Sequence, residues 1–269
     1  MRLISLCPSN TELLYYLNLI DDLVGVDDFS DWPQEVTHLP KLGPDLQIDM
    51  DKVEALKPDL VLASLSVPGM ERNIESLQKR NIPHIVLNPQ TLKDIQNDLI
   101  NVGALTDRKE VARQVAESMG AFIKSYKEMA TNVKMKPKVY WEWWPKPVFT
   151  PGSVNWLTEI SELAGSSNMY VDQEVASYQT DWEDVRKRNP DFICMIWVGV
   201  KESKMNPDHV RRRPGWTETN AVKQDNIFVL EERLFCRPSP RLLEGLQKLA
   251  KLLHPEIFST EKKWSNYLL

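Results

Sequence analysis

The sequence predicts an α/β fold in which two parallel-sheet lobes are joined by a single long α-helix. Three observations lead to this prediction. Short apolar segments alternate with helical patterns, one helix–turn–strand segment recurs in the second half of the chain, and a long proline-free helical pattern lies between the halves. Strands that are apolar throughout and separated by helices are typical of a parallel sheet covered on both faces.

The predicted elements alternate along both halves of the chain. Strands are predicted at Leu3–Leu6, Leu23–Val26, Leu60–Ala63, Ile85–Leu87, Lys138–Trp143, Phe192–Trp197 and Ile227–Leu230. Helices are predicted at Thr11–Leu19, Asp51–Leu56, Glu71–Arg80, Leu92–Leu105, Asn155–Ala164, Trp182–Arg188 and Pro240–Leu253. Ser9 and Glu12 have the spacing of a capping box, which predicts a helix start at that point.

An internal repeat indicates that the two halves are built alike. The segment DKVEALKPDLVLA at Asp51–Ala63 aligns with EDVRKRNPDFICM at Glu183–Met195, at a constant offset of 132 residues. Each segment has a helical pattern that ends at a proline, Pro58 or Pro190, because proline disfavours a helical conformation in the residue before it. The offset is about half of the chain, which favours two similar lobes.

The segment between the halves predicts a helix from Asp107 to about Thr131. Its apolar residues repeat at steps of three and four: Val111, Val115, Met119, Ile123 and Tyr126. We therefore predict an N-terminal lobe at 1–105, a linker helix at 106–133 and a C-terminal lobe at 134–269.

Composition excludes several classes of function. A net charge of −5 and a pI of about 5.5 give no reason to expect nucleic acid or anionic lipid as a partner, and Arg211–Arg213 is interpreted as a solvated charged face. Cys7, Cys194 and Cys236 lack metal-binding spacing and are expected to be core thiols. No apolar run is long enough to span a membrane. The opening segment lacks a leader pattern, so we expect a cytoplasmic protein if Met1 is the native start and an extracytoplasmic one if a leader has been removed.

Motifs for catalysis and for bound cofactors or metals are missing from the sequence. It contains no GxGxxG, GxxxxGK[ST], GxSxG or HExxH pattern, and the four histidines are scattered. Each histidine is interpreted as a surface or core residue. The sequence therefore predicts a non-enzymatic protein without an intrinsic cofactor or metal.

Large aromatic residues follow the predicted strands in both halves, namely Phe29, Trp32, Trp143, Trp144, Trp197 and Phe235. Ligands of open parallel sheets bind outside the carboxyl ends of the strands. Such a set of aromatic groups suits a large, flat, amphipathic ligand, although tryptophans that only seal loop bases remain an alternative.

Several motifs together resemble the substrate-binding proteins of cobalamin and iron-siderophore ABC importers, in the class with a helical backbone between its lobes. They are RLISLCPSNTELL, the SDWP tetrapeptide, ALKPDLVLA, an FTPG turn, RRPGW and PSPR. The similarity extends from about Arg2 to Leu253 and is greater to the cobalamin-binding branch. It implies two α/β lobes with a ligand cleft between them, little closure on binding, and a monomer.

The resemblance also implies site residues. A corrinoid would be clasped by Phe29, Trp143, Trp144, Tyr178 and Phe235, with Arg237 orienting its polar substituents. Trp32 and Trp197 join this set from their positions after strands, and Pro8 and Leu65 complete the predicted ligand-binding set. Glu142 or Lys146 is a further candidate for a polar contact.

Two features depart from the family pattern. Tryptophans that cobalamin binders commonly carry are replaced near Leu46 and near Ser64 or Leu65. The family docks its permease through an acidic residue on each lobe; Glu71 matches the first, whereas Cys236 falls at the second.

The sequence thus predicts a corrinoid-binding protein, with cobalamin as the foremost ligand, that serves an ABC importer or an intracellular user. A ferric siderophore or haem is the alternative within the fold. A metallocluster scaffold or an enzyme subunit with the same two-lobed design is the alternative of another class.

Overall fold

The computed structural model describes residues 1–259 and 262–268. The chain divides into two compact units: unit 1 contains Met1–Pro89 and Lys93–Ser118, and unit 2 contains Gln90–Leu92 and Met119–Leu269. Each unit has its own four-stranded parallel sheet with helices between the strands. This arrangement confirms the predicted fold class of two parallel-sheet α/β lobes.

Unit 1 alternates strands and helices from its first residues. Its strands are β1 (Leu3–Ser5), β2 (Leu23–Val26), β3 (Leu60–Ser64) and β4 (His84–Leu87). Its helices are α1 (Pro8–Tyr16), α2 (Met50–Ala55), α3 (Glu71–Lys79) and α4 (Leu92–Leu105), of which α4 has its first residue in unit 2. Short 3-10 helices lie at Ile20–Asp22 and Gln34–His38.

A long helix, α5 (Lys109–Ala130), begins in unit 1 and ends in unit 2. Its 22 residues give it a length of about 33 Å. Buried side chains recur along one stripe, at Ala112, Val115, Met119, Phe122 and Tyr126. The helix predicted from Asp107 to about Thr131 is therefore present, and its observed ends lie within two residues of those limits.

Unit 2 contains the remaining strands and helices. Its strands are β5 (Lys138–Glu142), β6 (Trp144–Pro145), β7 (Val148–Pro151), β8 (Ser167–Asn168), β9 (Ser177–Thr180), β10 (Phe192–Met195) and β11 (Ile227–Val229). Its helices are α6 (Trp156–Leu163), α7 (Trp182–Arg188), α8 (Asp208–Arg211), α9 (Asn220–Lys223), α10 (Glu232–Phe235), α11 (Leu242–Leu253) and α12 (Pro255–Phe258). Further 3-10 helices lie at Glu202–Lys204, Trp216–Glu218 and Trp264–Tyr267.

The two parallel sheets have the same strand order. In unit 1 the order is β2-β1-β3-β4, and in unit 2 it is β8-β5-β10-β11 when read from the corresponding edge. The repeated sequence segments occupy equivalent places, because α2 leads into β3 and α7 leads into β10. The internal repeat therefore reflects a repeated topology.

This order creates a switch point in each sheet, where connections on either side run in opposite directions. The switch point lies between β1 and β3 in unit 1 and between β5 and β10 in unit 2. In open α/β sheets the crevice for a ligand lies at the carboxyl ends of the strands that flank this point. The fold therefore predicts that ligand-binding residues follow the carboxyl ends of β1 and β3 in unit 1 and of β5 and β10 in unit 2.

The capping box expected at Ser9 and Glu12 is wrong. Helix α1 begins at Pro8, with Cys7 in extended conformation at the N-cap, and the Ser9 and Glu12 side chains are buried within the helix. Proline at the first helical position has a suitable φ angle and lacks an N–H group that the helix start would leave unpaired. Pro8 therefore sets the start of the helix, which the spacing of Ser9 and Glu12 obscured.

The FTPG segment is a strand and not a turn, which corrects the sequence interpretation. Phe149, Thr150 and Pro151 belong to β7, which pairs antiparallel with both β6 and β9 in a small separate sheet. All three strands are short, and β6 and β7 each contain a proline, so they lack the apolar runs that indicate a strand in the sequence. The turn between β6 and β7 contains a cis bond between Lys146 and Pro147.

Among the described residues, no helix is long and apolar enough to cross a membrane. Both units have cores of apolar side chains packed against their parallel sheets. In unit 1 the core includes Ile4, Val53, Val61, Ala63 and Leu77. In unit 2 it includes Tyr140, Val185, Ile193, Met195 and Trp216.

The repeated helices α2 and α7 are both capped by an aspartate, which yields a stability prediction. Asp49 accepts hydrogen bonds from the backbone N–H groups of Asp51 and Lys52, and Asp181 accepts them from Glu183 and Asp184. We expect alanine at Asp49 or Asp181 to lower the free energy of unfolding by about 1 kcal/mol, because a helix N–H group loses its acceptor.

Urea denaturation followed by circular dichroism measures this change. Asparagine at the same positions is the matched control, because its side-chain oxygen also caps helices, and it should retain most of the stability. Equal losses for alanine and asparagine would show that the caps do not stabilise these helices.

Candidate functional site

Residues predicted to bind ligand follow the strands that flank the two switch points. In unit 2, Trp143 comes directly after β5, and Trp197 lies two residues after β10. In unit 1, Pro8 lies three residues after β1, and Leu65 comes directly after β3. These four residues are therefore at the positions where the sheet topology expects a site.

The aromatic strand β5 sends its side chains to two different environments. Trp141 is fully buried, its Nε1 donates to Ser161 Oγ at 2.9 Å, and its ring lies 5.4 Å from the ring of Phe235. Tyr140 and Glu142 project from the opposite face of the strand, because side chains alternate along it. Phe235 is 0% exposed, so its predicted contact with a ligand is corrected to a role in the core.

Glu142 is buried in an ion pair and is not an exposed polar contact for a ligand, which corrects that prediction. Arg213 donates from Nη1 to Oε2 of Glu142 at 2.5 Å and from Nη2 to Oε1 at 2.8 Å. Tyr140 donates its hydroxyl to the same carboxylate at 3.1 Å, and the indole Nε1 of Trp197 donates to it at 3.0 Å. Four donors therefore satisfy one buried carboxylate.

Arg213 also corrects the interpretation of the basic run as a solvated face. Its side chain is 2% exposed, and its guanidinium carbon lies 4.7 Å from the ring centre of Trp182 and 4.5 Å from that of Trp216. Arg211 and Arg212 are at the surface, where Arg211 pairs with Asp208 and Asp225 and Arg212 pairs with Asp208. A spacing of adjacent charges does not reveal which one points inward.

The consequence for the site is that Trp197 is held in place. Its indole nitrogen is bonded to the buried carboxylate of Glu142, and its backbone N–H contacts Met205 Sδ at 3.4 Å. The carboxylate is in turn fixed by the bidentate contact with Arg213, a geometry that restricts both groups. An indole held in this way loses little freedom when a ligand contacts it.

An exposed aromatic surface lies beside this ion pair. Trp144 is 40% exposed, and its ring centre is 6.4 Å from that of Trp197. On the small antiparallel sheet, Trp144 pairs with Phe149, so their side chains share one face of the sheet. We call Trp144, Phe149 and Trp197 the tryptophan face. Phe149 was not among the predicted site residues, because the segment was taken for a turn.

Tyr178 lies on the other face of the small sheet. It pairs with Thr150, one position out of phase with Trp144 and Phe149, and its ring lies 5.4 Å from that of Tyr170. It packs against the core of unit 2 and is partly buried. The structure therefore separates Tyr178 from the tryptophan face.

Trp143, Cys236 and Arg237 lie deeper than predicted. Trp143 is half-buried, and burial raises the pKa of the neighbouring Cys236 thiol well above its ordinary value. The Cys236 sulfur lies 3.9 Å from the carbonyl oxygen of Ile196, so the thiol points inward and is a poor docking contact. The side chain of Arg237 is 11% exposed, and its guanidinium is 3.6 Å from the carboxylate of Glu232.

The other two thiols are buried, as the sequence analysis expected. Cys7 and Cys194 are both free cysteines in the core of their units. Burial raises the pKa of Cys7 to about 11 and raises that of Cys194 further.

In unit 1, Phe29 is the exposed aromatic residue at the strand ends. Its side chain is 52% exposed, and its backbone N–H donates to Oδ2 of the buried Asp27 at 2.8 Å. The other carboxylate oxygen of Asp27 accepts from Ser30, whose hydroxyl is bonded to Thr11 at 2.7 Å. Burial raises the pKa of Asp27 to about 6, although the Ser30 bond favours the ionised form.

The remaining predicted residues of unit 1 are in different surroundings. Trp32 packs against Tyr15 at 4.4 Å and Tyr16 at 6.2 Å between ring centres, so much of its surface serves packing against the end of α1. Pro8 and Leu65 are partly exposed. Glu71 is exposed at the start of α3, and its carboxylate accepts the N–H of Gly69 at 2.7 Å.

Metal ligands do not gather at either switch point. Within residues 1–259 and 262–268, no group of three or more His, Cys, Asp or Glu side chains is arranged to hold a metal ion. His84 and His254 each make a contact with a backbone carbonyl, from Ile82 and Gly165 respectively. His209 is exposed, and its ring stacks on that of Trp197 in the tryptophan face, with 6.1 Å between the ring centres.

Two α/β units with the same topology and with aromatic groups at their strand ends define the class of two-lobed solute-binding proteins. A family model for periplasmic binding proteins matches residues 3–234 of the chain. The chain therefore belongs to the periplasmic binding protein family.

Individual relatives agree with this membership. The chain is 32% identical, over 96% of its length and 81% of the relative, to an uncharacterized ABC transporter substrate-binding lipoprotein of Bacillus subtilis (strain 168). It is 29% identical, over 93% of its length and 85% of the relative, to a vitamin B12-binding protein of Yersinia pestis (strain Pestoides F). The structure of a possible iron-binding, periplasmic solute-binding protein from Staphylococcus epidermidis ATCC 12228 matches with a TM-score of 0.81 at 27% identity, covering 94% of this chain and 98% of that one.

The buried ion pair leads to a prediction about stability. We expect Glu142→Ala to lower the free energy of unfolding by about 3–5 kcal/mol, because it leaves the Arg213 guanidinium buried without its carboxylate. The double variant Glu142→Leu with Arg213→Met should lose less, since no uncompensated charge remains. Denaturant unfolding of the three proteins measures both changes.

An exposed carboxylate provides the control for this experiment. Asp208→Ala removes a partner of Arg211 and Arg212 at the surface and should cost at most about 1 kcal/mol. A loss for Glu142→Ala no greater than that of Asp208→Ala would contradict a stabilising role for the buried pair.

The raised pKa of Asp27 predicts how stability changes with pH. A folded-state pKa of about 6 against an ordinary 3.8 means that the folded protein binds more protons than the unfolded chain between these values. The free energy of unfolding should therefore fall as pH rises from 4 to 6.5, with a contribution of about 3 kcal/mol from this group.

Denaturant unfolding at several pH values compares the wild type with Asp27→Asn, which cannot titrate and should lose this contribution. Asp21→Asn removes an exposed carboxylate and is the control that should keep the wild-type profile. Parallel profiles for the wild type and Asp27→Asn would refute the assignment.

Proposed function

We propose that this protein binds a corrinoid, foremost cobalamin, as the solute-binding component of an ABC importer. The observation that carries the proposal is the tryptophan face, where an indole anchored by a buried ion pair stands beside a second, exposed indole. A corrinoid presents a broad ring system with apolar edges, and contact with aromatic groups buries apolar surface at about 25 cal/mol per Å². The function is binding and not catalysis.

The state of the arginines supports a ligand without strong negative charge. Arg211, Arg212, Arg213 and Arg237 each have a carboxylate partner within the protein, and Arg233 is the exposed arginine that remains as a candidate for an anionic ligand. A ferric siderophore or a haem with ionised propionates would require unpaired cationic groups to offset its desolvation. The amide substituents of a corrinoid need only hydrogen bonds, for which the exposed Lys146 in the β6–β7 turn is a candidate.

Relatives support the choice of ligand class. The Yersinia pestis relative is a vitamin B12-binding protein, and 93% of this chain aligns with it. The Bacillus subtilis relative is an ABC transporter substrate-binding lipoprotein, which supports an ABC permease as partner. Glu71 is exposed and suited to docking a permease, whereas the inward thiol of Cys236 is not.

Unit 1 has a less aromatic set of strand-end residues. The resemblance places two missing tryptophans near Leu46, which is 44% exposed, and near Ser64 or Leu65, of which Ser64 is buried and Leu65 is partly exposed. Phe29 is the exposed aromatic group there. We propose that the tryptophan face supplies the larger share of the aromatic contact.

Isothermal titration with cyanocobalamin, haemin and a hydroxamate ferric siderophore tests the proposal. We expect micromolar or tighter binding of cyanocobalamin alone, with quenching of tryptophan fluorescence. Trp144→Ala should weaken binding about fivefold, because one aromatic contact contributes on the order of 1 kcal/mol.

Met135→Ala is the control, since it removes an exposed apolar side chain, 83% exposed, from the segment between α5 and β5, away from the tryptophan face in the chain. It should bind cyanocobalamin as the wild type does. If the protein binds haemin or the siderophore but not cyanocobalamin, the corrinoid proposal is wrong and that ligand takes its place. If the wild type and Trp144→Ala bind cyanocobalamin with equal affinity, the tryptophan face is not part of the binding site.

A further inference from the structure

An exposed imidazole stands directly beside the tryptophan face. His209, in helix α8, stacks on the indole of Trp197 with ring centres 6.1 Å apart and an interplanar angle of 8°. The Trp197 indole is itself bonded to Glu142. The His209 ring therefore lies parallel to a neighbour that is anchored in the buried core.

The nitrogens of this imidazole are unengaged. The N–H of one ring nitrogen and the lone pair of the other lie in the plane of the neutral ring, so stacking on Trp197 leaves the lone pair accessible. Neither nitrogen has a hydrogen bond or an ion pair with the part of the chain that the structure describes, and His209 is exposed. By contrast, His84 and His254 contact backbone carbonyls.

A single imidazole is not enough to hold a free metal ion, because such sites need three or four protein ligands. The described residues bring no three potential ligands together. A lone imidazole can instead fill one axial position on a metal that already has its equatorial ligands in a macrocycle, as it does for haem iron. The cobalt of a corrinoid is also held by four ring nitrogens and has two axial positions.

We propose that His209 is an axial ligand to the cobalt of corrinoids that carry exchangeable water. This inference rests on the proposed corrinoid-binding function. One imidazole nitrogen donates its electron pair to Co(III), the axial water leaves with its own pair, and the oxidation state of cobalt does not change. A macrocycle bound in this way would be perpendicular to the imidazole ring, and thus edge-on to Trp197.

Visible absorption during titration with diaquacobinamide tests the proposal, because this corrinoid has water at both axial positions. Replacement of water by imidazole shifts the visible bands of the corrin. We expect the wild type to shift these bands on binding and His209→Ala to bind without the shift. His38→Ala removes another exposed histidine, in unit 1, and should behave as the wild type.

Cyanocobalamin, titrated in parallel, separates ligation from stacking. The axial positions of cyanocobalamin are filled by cyanide and by its own base, so it cannot take an imidazole from the protein. His209→Ala should therefore lose more affinity for diaquacobinamide than for cyanocobalamin. Equal weakening of both, or wild-type binding of diaquacobinamide without a band shift, would overturn axial ligation and leave corrinoid binding in place. Failure of the wild type to bind either corrinoid would overturn both proposals.

Discussion

The site in unit 2 depends on the buried ion pair between Glu142 and Arg213. An isolated charge in this position would be costly, but the carboxylate has four donors and the guanidinium lies between two indole rings. The pair joins the end of β5 to the segment before the 3-10 helix at Trp216–Glu218, and it holds the Trp197 indole by a hydrogen bond. Packing and surface aromaticity are therefore linked through one carboxylate.

The repeated strand order determines where such a surface can form. In both sheets the switch point lies between two central strands, and in open α/β sheets the crevice for a ligand lies at the carboxyl ends of such strands. Unit 2 places tryptophans there, whereas unit 1 places Phe29 above a buried network of Asp27, Ser30 and Thr11. At equivalent strand ends, unit 2 therefore has an indole that is hydrogen-bonded to a buried carboxylate, and unit 1 has a loop whose backbone is hydrogen-bonded to one.

A small antiparallel sheet adds the exposed part of the aromatic surface. Strands β6 and β7 place Trp144 and Phe149 on one face, while Thr150 and Tyr178 lie on the face toward the core. Alternation along a strand allows adjacent residues to serve opposite purposes. In this way one short segment of the chain supplies both a core and a surface that suits a flat, amphipathic ligand.

The sequence by itself determined the α/β class, the internal repeat, the long helix and the position of tryptophans after strands, because these follow from local periodicity and from proline placement. It also identified the family from motifs that extend over most of the chain. Only the tertiary structure decided that Arg213 points inward, that Phe235 belongs to the core and that Tyr178 faces away from Trp144. The reason is that burial and pairing of a side chain are set by residues distant in sequence: Glu142 and Arg213 are separated by 71 positions.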